Sequence, residues 1–160
     1  MKKKNIEKNK NFIVLSTDFT SMEFISDFIQ QKAQESNLSF KKAWELILAI
    51  DELCFNTIVH TPSEEDNKIK IIWKDYKKYV VIHLLDNGHP FNPLSIPPGE
   101  IRILEEGKRL GGMGPYLIEK MVDEVSYKRE NGYNCLIIKK YKKSEFRLFY
   151  SFHFLNCKCV

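Results

Sequence analysis

Glu52 and Asn56 stand four residues apart in a segment whose apolar residues recur at intervals of three and four. This periodicity predicts a helix, and residues four apart on a helix project from the same side, one turn from each other. An Asn side chain offers a neutral oxygen to a hard cation, and a Glu carboxylate can accept a proton from a nucleophile. Taken alone, the pair also fits the solvated polar edge of an amphipathic helix.

Asp86 and Gly88 directly follow residues 79–85, which are rich in β-branched and aromatic side chains. That composition predicts a strand, so Asp86 lies at a strand end and Gly88 lets the backbone turn sharply after it. An ionised carboxylate only accepts hydrogen bonds, and it can accept one from the exocyclic amine of adenine. By itself, Asp-Asn-Gly is also a common turn sequence.

A glycine-rich segment, formed by Gly111, Gly112, Met113 and Gly114, precedes a predicted helix at about residues 115–122. Glycines let backbone amides approach an anion closely, and a helix start adds unpaired N–H groups, so phosphate is a natural occupant. The segment matches neither the P-loop motif nor the dinucleotide-binding fingerprint. A glycine cluster alone also fits a hinge in a loop.

The elements that must position these residues follow from the hydrophobic pattern. Helices are predicted from about residue 21 to 36, from Ser39 to about His60 and at about 115–122, and strands at 11–17, 68–73, 79–85, 124–129 and 133–141. Consecutive hairpins with inserted helices indicate an α+β domain, a two-layer sandwich in which helices cover one face of a mixed, mostly antiparallel sheet. Between the second hairpin strand and the last helix, most of the glycines and prolines predict a long functional loop.

Charge and apolar runs exclude several classes of protein. Residues 1–10 hold five lysines and one glutamate and are predicted to be a basic flexible tail; this segment accounts for the whole formal charge of +4. Residues 11–160 are therefore neutral overall, which disfavours a nucleic-acid-binding regulator. The start of the chain lacks the apolar stretch of a secretory signal, and no run of about 18 apolar residues is present. We expect a cytoplasmic protein with no membrane partner.

Four side chains that perform chemistry in other proteins have structural roles in this interpretation. Cys54 lies in a helical apolar pattern and Cys135 in a strand pattern, where a free thiol behaves as a small apolar group. His60 falls near a predicted helix end and His83 alternates within a predicted strand. Neither a disulfide framework nor a histidine metal site is predicted.

In this order, the E-x-x-x-N pair, the D-x-G turn and the glycine-rich helix start resemble the N, G1 and G2 boxes of GHKL ATPases. The closer resemblance is to the anti-sigma-factor serine kinases, whose D-x-G-x-P-F-[DN]-P-L segment is similar to DNGHPFNPL at 86–94. GGMGPYLIEKMVDEVSY at 111–127 and NGYNCLIIKK at 131–140 are similar to two further family segments. The resemblance covers residues 11–142 and implies the Bergerat ATP-binding fold. An aromatic extension, residues 143–160, has no counterpart in the family.

The resemblance implies ATP and Mg²⁺ as cofactors. Asp86 would bind the adenine amine, Gly88 would let the backbone pass close to the base, and Asn56 would hold Mg²⁺ against the triphosphate. The glycine-rich segment from Gly111 to Gly114, Met113 included, would cradle phosphate oxygens with its amides.

The catalytic expectations concern three side chains. Glu52 is the candidate general base that accepts the proton of an incoming serine hydroxyl. Lys108 or Arg109, at the end of the long loop, would reach the γ-phosphate when the loop closes. Two sequence departures accompany these matches: Pro90 replaces a glycine common in related kinases, and Thr57 replaces a common alanine.

By the same resemblance, the chain is expected to phosphorylate a STAS-domain anti-sigma antagonist and to sequester a sigma factor or other regulatory protein. Similar proteins also lead us to expect a homodimer. The alternative is a catalytically inactive, nucleotide-sensing protein-interaction module. A chain that binds nucleotide but transfers no phosphate would fit that alternative.

Overall fold

The computed structural model describes residues 7–60, 67–95, 102–103, 109–110 and 114–143 of the chain. In chain order the strands are β1 (Glu7–Asn9), β2 (Phe12–Ser16), β3 (Lys68–Asp75), β4 (Tyr79–Asp86), β5 (Arg102–Ile103), β6 (Arg109–Leu110), β7 (Glu124–Glu130) and β8 (Tyr133–Tyr141). The helices are α1 (Ser21–Glu35), α2 (Phe40–His60) and α3 (Gly114–Met121), and a 3-10 turn spans Pro93–Ser95.

Six of the strands form one open antiparallel sheet in the order β1-β2-β3-β4-β8-β7, while β5 and β6 form a separate hairpin. The predicted α+β class is confirmed, and the bounds of the predicted elements are right to within a few residues. None of the strand pairs described is parallel, whereas a mixed sheet was also compatible with the sequence. Among the described helices, none has both the length and the apolarity of a membrane span.

The sequence does not predict the first strand, nor the short strands β5 and β6, which lie within the predicted long loop. β1 falls in the segment that composition assigns to a basic tail, yet Glu7 pairs with Val14 and Asn9 with Phe12 in an antiparallel ladder. All three β1 residues are exposed. A polar edge strand carries no hydrophobic alternation, so its pairing follows from the neighbouring strand and leaves no signal in the local pattern.

The main core lies between the helices and one face of the sheet. α2 contributes Leu46, Ala49, Ile50 and Leu53 to it at the spacing of a single helix stripe, and all four are fully buried. Burying each large aliphatic side chain stabilises the fold by about 1.5–3 kcal/mol. The periodicity that predicts α2 therefore also identifies the surface by which it packs on the sheet.

α1 ends in a Schellman motif that turns the chain towards α2. Asn37 adopts a left-handed conformation with φ of 56°. The Asn37 N–H donates to the Gln34 carbonyl and the Leu38 N–H to the Ala33 carbonyl, both at 3.0 Å. Asn tolerates this backbone conformation better than most residues, and the buried Leu38 side chain anchors the turn.

A second apolar cluster lies on the opposite face of the same sheet. Alternation along β4 and β8 directs five neighbouring side chains to this face, and we call them the rear cluster: Val81, His83, Leu85, Cys135 and Ile137. Their exposed fractions range from 0% to 8%. The three described helices contribute buried apolar residues to the main core and none to this cluster.

His83 is a neutral member of the rear cluster. Burial, together with the positive charges of Lys74 and Lys128, lowers the pKa of His83 to about 4. Within the described residues, His83 Nε2 is a buried side-chain atom without a hydrogen-bond partner. The predicted structural role of His83 agrees with this position within a strand.

A buried lysine ties the sheet to two helices. Lys140 Nζ on β8 lies 2.6 Å from Glu45 Oε2 on α2 and donates to the Met121 carbonyl at the end of α3, at 2.7 Å. A cation at a helix C-terminus complements the unpaired carbonyls there. Lys140 thus fixes the position of α3 relative to α2.

We expect Lys140→Ala to lower the free energy of unfolding by about 3 kcal/mol, because the substitution removes the close cationic partner of the partly buried Glu45 carboxylate, at 2.6 Å. The matched control is Lys142→Ala. Lys142 Nζ pairs with Asp75 Oδ1 at 2.7 Å, but the Asp75 side chain is 41% exposed, so the cost should stay within about 1 kcal/mol. Urea denaturation of both variants measures the difference, and equal losses would contradict this ranking.

Candidate functional site

Asp86 is the last residue of β4, and the alternation of that strand directs its side chain towards the helices. Only 4% of Asp86 is exposed. Its Oδ1 accepts hydrogen bonds from the Gly88 N–H at 3.0 Å and from Asn134 Nδ2 at 2.8 Å. Both bonds end on the same oxygen, so the hydrogen bonds of Asp86 within the described residues leave Oδ2 to accept one from a ligand.

The electrostatics of Asp86 are dominated by burial. Burial raises the pKa of Asp86, while the hydrogen bonds from Asn134 and Gly88 and the charge of Arg129 act in the opposite direction. Burial raises the pKa of the Cys54 thiol on α2, and the negative charges of Asp51 and Asp86 raise it further. Asp86 therefore lies beneath α2, in surroundings where a matching donor has little competition from water.

Asn134 on β8 organises the surroundings of Asp86. The two residues are direct partners in the β4–β8 ladder. Besides Asp86, Asn134 Nδ2 donates to the His89 carbonyl at 2.8 Å. Its Oδ1 accepts from the Tyr127 hydroxyl and an Arg129 guanidinium nitrogen, both at 2.8 Å, and from the Phe91 N–H at 3.3 Å. Both ends of one buried amide are thus satisfied by two segments, residues 86–91 and β7.

Asn134 and Arg129 were not among the predicted site residues. The signal available in the sequence was the Asn that follows the Asn-Gly turn in the closing hairpin. That turn is confirmed by left-handed φ values of 52° at Asn131 and 84° at Gly132. Arg129 Nη1 also donates to the Gly88 carbonyl at 3.1 Å, so the β7–β8 hairpin stabilises the turn that follows Asp86.

We expect Asn134→Ala to lower the free energy of unfolding by about 2–4 kcal/mol, because three donors and two acceptors lose this partner at once. Tyr127→Phe is the matched control, since it removes a single bond to the same amide oxygen and should cost about 1 kcal/mol. Chemical denaturation followed by circular dichroism measures both. Similar costs for the two variants would show that Asn134 is no centre of the network.

Glu52 and Asn56 lie on α2, and both side chains are half-buried. Asn56 Nδ2 donates to Glu52 Oε1 at 3.2 Å, as their spacing of one helix turn predicts. With its nitrogen directed at Glu52, the amide presents its oxygen in another direction, where it can coordinate a hard cation. The structure therefore pairs these two side chains, but the pairing leaves their roles as predictions.

The residues adjacent to this pair have different surroundings. Asp51 Oδ1 accepts from Ser26 on α1 at 2.8 Å, so this carboxylate belongs to the contact between the two helices. Burial raises the pKa of Asp51, and the Ser26 bond opposes that effect. Thr57, the departure from the family pattern, is buried, and its hydroxyl donates a hydrogen bond to the Leu53 carbonyl at 3.1 Å. The Thr57 hydroxyl is thereby satisfied within the helix.

The available ligands suit a cation that is shared with a bound phosphate. Across residues 7–60, 67–95 and 114–143, no three His, Cys, Asp or Glu side chains are grouped so that they could hold a metal ion. Mg²⁺ usually keeps several waters and binds through one or two protein ligands plus substrate phosphates. The Asn56 amide oxygen matches that pattern of coordination.

The remaining predicted residues lie partly outside the described chain. Lys108, Gly111, Gly112 and Met113 are not among the described residues. Arg109 is the first residue of β6. Gly114 is the first residue of α3, as predicted for a glycine at a helix start. α3 packs against α2, the helix that carries Glu52 and Asn56. The roles of these residues stay predictions.

The sequence matches the family of histidine kinase-like ATPase domains over residues 15–140. This range includes Glu52 and Asn56 on α2 and Asp86 at the end of β4. Serine-protein kinase RsbW of Listeria innocua is 28% identical over 112 residues, covering 67% of this chain and 71% of that kinase. Serine-protein kinase RsbW of Bacillus mycoides is 25% identical over 117 residues, covering 71% of this chain and 73% of that kinase. The similarity thus extends over most of both proteins.

Proposed function

Because this chain belongs to the family of histidine kinase-like ATPase domains, we propose that it is an ATP-dependent protein serine/threonine kinase. The observation that carries the proposal is Asp86, a buried carboxylate. Its Oδ1 accepts hydrogen bonds from Asn134 and Gly88, and the partners found among the described residues leave its Oδ2 to accept one from a ligand. Similarity to two proteins named serine-protein kinase supports serine as the acceptor.

In this proposal, the nucleotide lies between α2 and the end of β4. Asp86 accepts a hydrogen bond from the adenine amine, and Gly88 lets the backbone approach the base. The amides of the segment from Gly111 to Gly114 bind phosphate oxygens, with Lys108 or Arg109 directed to the γ-phosphate. Asn56 supplies the protein ligand for Mg²⁺, and the ion neutralises charge on the phosphates.

Glu52 acts as the general base in the transfer. The serine hydroxyl of the partner gives its proton to the Glu52 carboxylate, and its oxygen forms a bond to the γ-phosphorus as the bond from that phosphorus to the ADP oxygen breaks. The hydrogen bond from Asn56 Nδ2 orients the Glu52 carboxylate on the same helix side. A base and a cation ligand one turn apart place the acceptor hydroxyl next to the neutralised phosphate.

We further propose that the acceptor is a STAS-domain anti-sigma antagonist, and that the chain sequesters a sigma factor or other regulatory protein when the antagonist is phosphorylated. A cytoplasmic location and a homodimeric state belong to the same proposal. Its support is the motif resemblance and the relatives' similarity. Competition of two partners for one domain, biased by a phosphate group, is a two-state switch.

The experiment combines calorimetry with a transfer assay. The purified chain is titrated with ATP in the presence and absence of Mg²⁺, and then incubated with labelled ATP and a STAS-domain protein. We expect magnesium-dependent ATP binding and phosphoserine on the STAS protein, located by mass spectrometry. Binding without transfer to any partner would support the nucleotide-sensing module instead, and absence of magnesium-dependent binding would overturn the proposal.

A further inference from the structure

The outward side of α2 carries a row of exposed apolar side chains. Phe40, Trp44 and Leu48 are spaced by four residues, so they line one side of the helix, and their exposed fractions are 80%, 49% and 44%. The half-buried Phe55, seven residues after Leu48, continues the row. The row lies opposite the fully buried stripe by which α2 packs on the sheet. α2 is therefore apolar on two sides, of which the sheet covers one.

The connection between β2 and α1 adds a further aromatic ring to the end of this row. Phe19 is 59% exposed, and its ring centroid lies 5.8 Å from that of Phe55. At the other end of the row, the rings of Phe40 and Trp44 are in edge contact, with centroids 6.1 Å apart. We call these five side chains the outer stripe: Phe19, Phe40, Trp44, Leu48 and Phe55.

The outer stripe concentrates the exposed apolar surface of the described residues. Six large hydrophobic side chains are exposed in that part of the chain, and four of them belong to the stripe. The other two, Tyr76 and Tyr133, lie at hairpin turns and carry a hydroxyl that suits contact with water. Single exposed apolar residues are normal on a protein surface, but a continuous apolar patch marks a site of interaction.

The position of the outer stripe relative to Glu52 indicates what binds to it. Phe55 comes three residues after Glu52, so the two side chains are neighbours on the helix surface. Trp44 comes eight residues before Glu52, or about 12 Å along the helix axis. A protein that brings a serine to Glu52 through an interface of ordinary size covers about 800 Å², a patch roughly 16 Å in radius. Such a patch, centred on Glu52, extends past Trp44.

The charges beside the outer stripe differ between its two ends. The hydrogen bond between α1 and α2 places the exposed Glu23 and Asp27 of α1 level with the second half of α2. The Lys41 side chain, 85% exposed, lies in the first turn of α2. Complementary charges across an interface fix the orientation of a partner. This arrangement fits a partner with an apolar centre and with basic residues near its acceptor serine.

We propose that the outer stripe is the docking surface for the protein that carries the acceptor serine. The partner packs an apolar surface on Trp44 and Leu48, directs basic residues at Glu23 and Asp27, and thereby presents its serine to Glu52. The inference rests on the proposed kinase function and adds to it the surface that selects the protein substrate. The stripe sets the affinity for the partner, whereas the site between α2 and the end of β4 binds the nucleotide.

The test measures phosphoserine formation on a STAS-domain protein by the full chain, at saturating ATP and over a range of partner concentrations. We expect Trp44→Ala combined with Leu48→Ala to raise the KM for the partner at least about tenfold, an effect typical of losing interface anchors. The kcat and the dissociation constant of ATP should stay within about threefold of their values in the unchanged chain, because the nucleotide site lies on another side of α2.

Two single variants accompany the double variant. Tyr76→Ala is the matched control, since it removes an aromatic ring of similar exposure, 45%, at the β3–β4 turn, and it should leave the KM unchanged. Phe19→Ser should raise the KM several-fold. Phe19 precedes α1 and is exposed, so this substitution leaves the helices intact, and it decides should the double variant fail to fold.

The outcomes separate this inference from the proposed function. Transfer that continues with an unchanged KM in the stripe variants would overturn the docking surface and leave the kinase standing. Absence of transfer by the unchanged chain would overturn the proposed function, and the docking surface with it. Analytical ultracentrifugation checks for a second copy on the same surface. Stripe variants that are monomers where the unchanged chain is a dimer would assign the outer stripe to that contact and overturn the proposal.

Discussion

Asp86→Asn should weaken ATP binding more than about a hundredfold, while the domain stays folded. The asparagine amide either points a donor at the adenine amine or offers a neutral acceptor where a charged one was, and losing a charge-assisted hydrogen bond in a buried site costs about 3 kcal/mol. Isothermal titration calorimetry with ATP and Mg²⁺ measures the loss. Binding within a few-fold of the unchanged chain would remove Asp86 from the proposed adenine site.

The stability of this variant distinguishes lost recognition from lost structure. Burial raises the pKa of Asp86 above its ordinary value of 3.8, so the unfolded chain releases this proton at a lower pH than the folded chain does. The free energy of unfolding of the nucleotide-free protein therefore falls as the pH rises through this range. At neutral pH the ionised, buried carboxylate of Asp86 still lowers the free energy of unfolding by the full amount. We expect Asp86→Asn to unfold at an equal or higher urea concentration at pH 7, with the advantage vanishing below pH 3.8.

Asp75→Asn is the matched control for this substitution. Asp75 ends β3 at the opposite end of the sheet and pairs there with Lys142 at 2.7 Å. The same loss of one carboxylate from a strand end should leave the ATP affinity unchanged. A comparable loss of affinity in Asp75→Asn would mean that net charge, and not the contact at Asp86, governs binding.

Glu52→Gln should lower the rate of phosphoserine formation by about 100- to 10,000-fold while ATP affinity changes by no more than a few-fold. A glutamine keeps the shape of the side chain and can still accept the hydrogen bond from Asn56 Nδ2, but it cannot take the serine proton. Single-turnover transfer to the partner, measured at saturating ATP, separates the two quantities. An unchanged transfer rate would assign catalysis to positioning and charge neutralisation alone.

The neighbouring carboxylate supplies the control for Glu52. Asp51 lies on the same helix, α2, but its carboxylate accepts a hydrogen bond from Ser26 on α1. Asp51→Asn retains an acceptor for that hydroxyl and should leave the transfer rate unchanged. If Asp51→Asn abolished transfer as strongly as Glu52→Gln, the loss would reflect the packing of α2 on α1.

The half of the site that lies on one helix was predictable, because its geometry is local. A spacing of four residues suffices to place Asn56 within 3.2 Å of Glu52, and the apolar stripe of α2 fixes which side of the helix faces the sheet. Asp86 was predictable for a similar reason. A strand run followed by a turn sequence places it at a strand end, whatever the strand pairs with.

The partners of Asp86 were not predictable from local patterns. Asn134 is 48 residues away in sequence, and its contact with Asp86 exists only because β4 and β8 pair in one particular register. A shift of that register by one residue would turn Asn134 to the opposite face. Arg129 reaches the Gly88 carbonyl through the same pairing, from an exposed position that composition alone marks as ordinary surface.

The place of β8 between β4 and β7 has a consequence for biosynthesis. A nascent chain that has left the ribosome only as far as β7 presents β4 as an open edge, with the Asp86 carboxylate lacking its amide donor. Because β8, an interior strand, is also the last strand of the sheet to be made, cellular nucleotide can act as a folding ligand only after release of nearly the whole domain. Stalled or prematurely terminated products are therefore expected to depend on chaperones rather than on ATP for protection from aggregation.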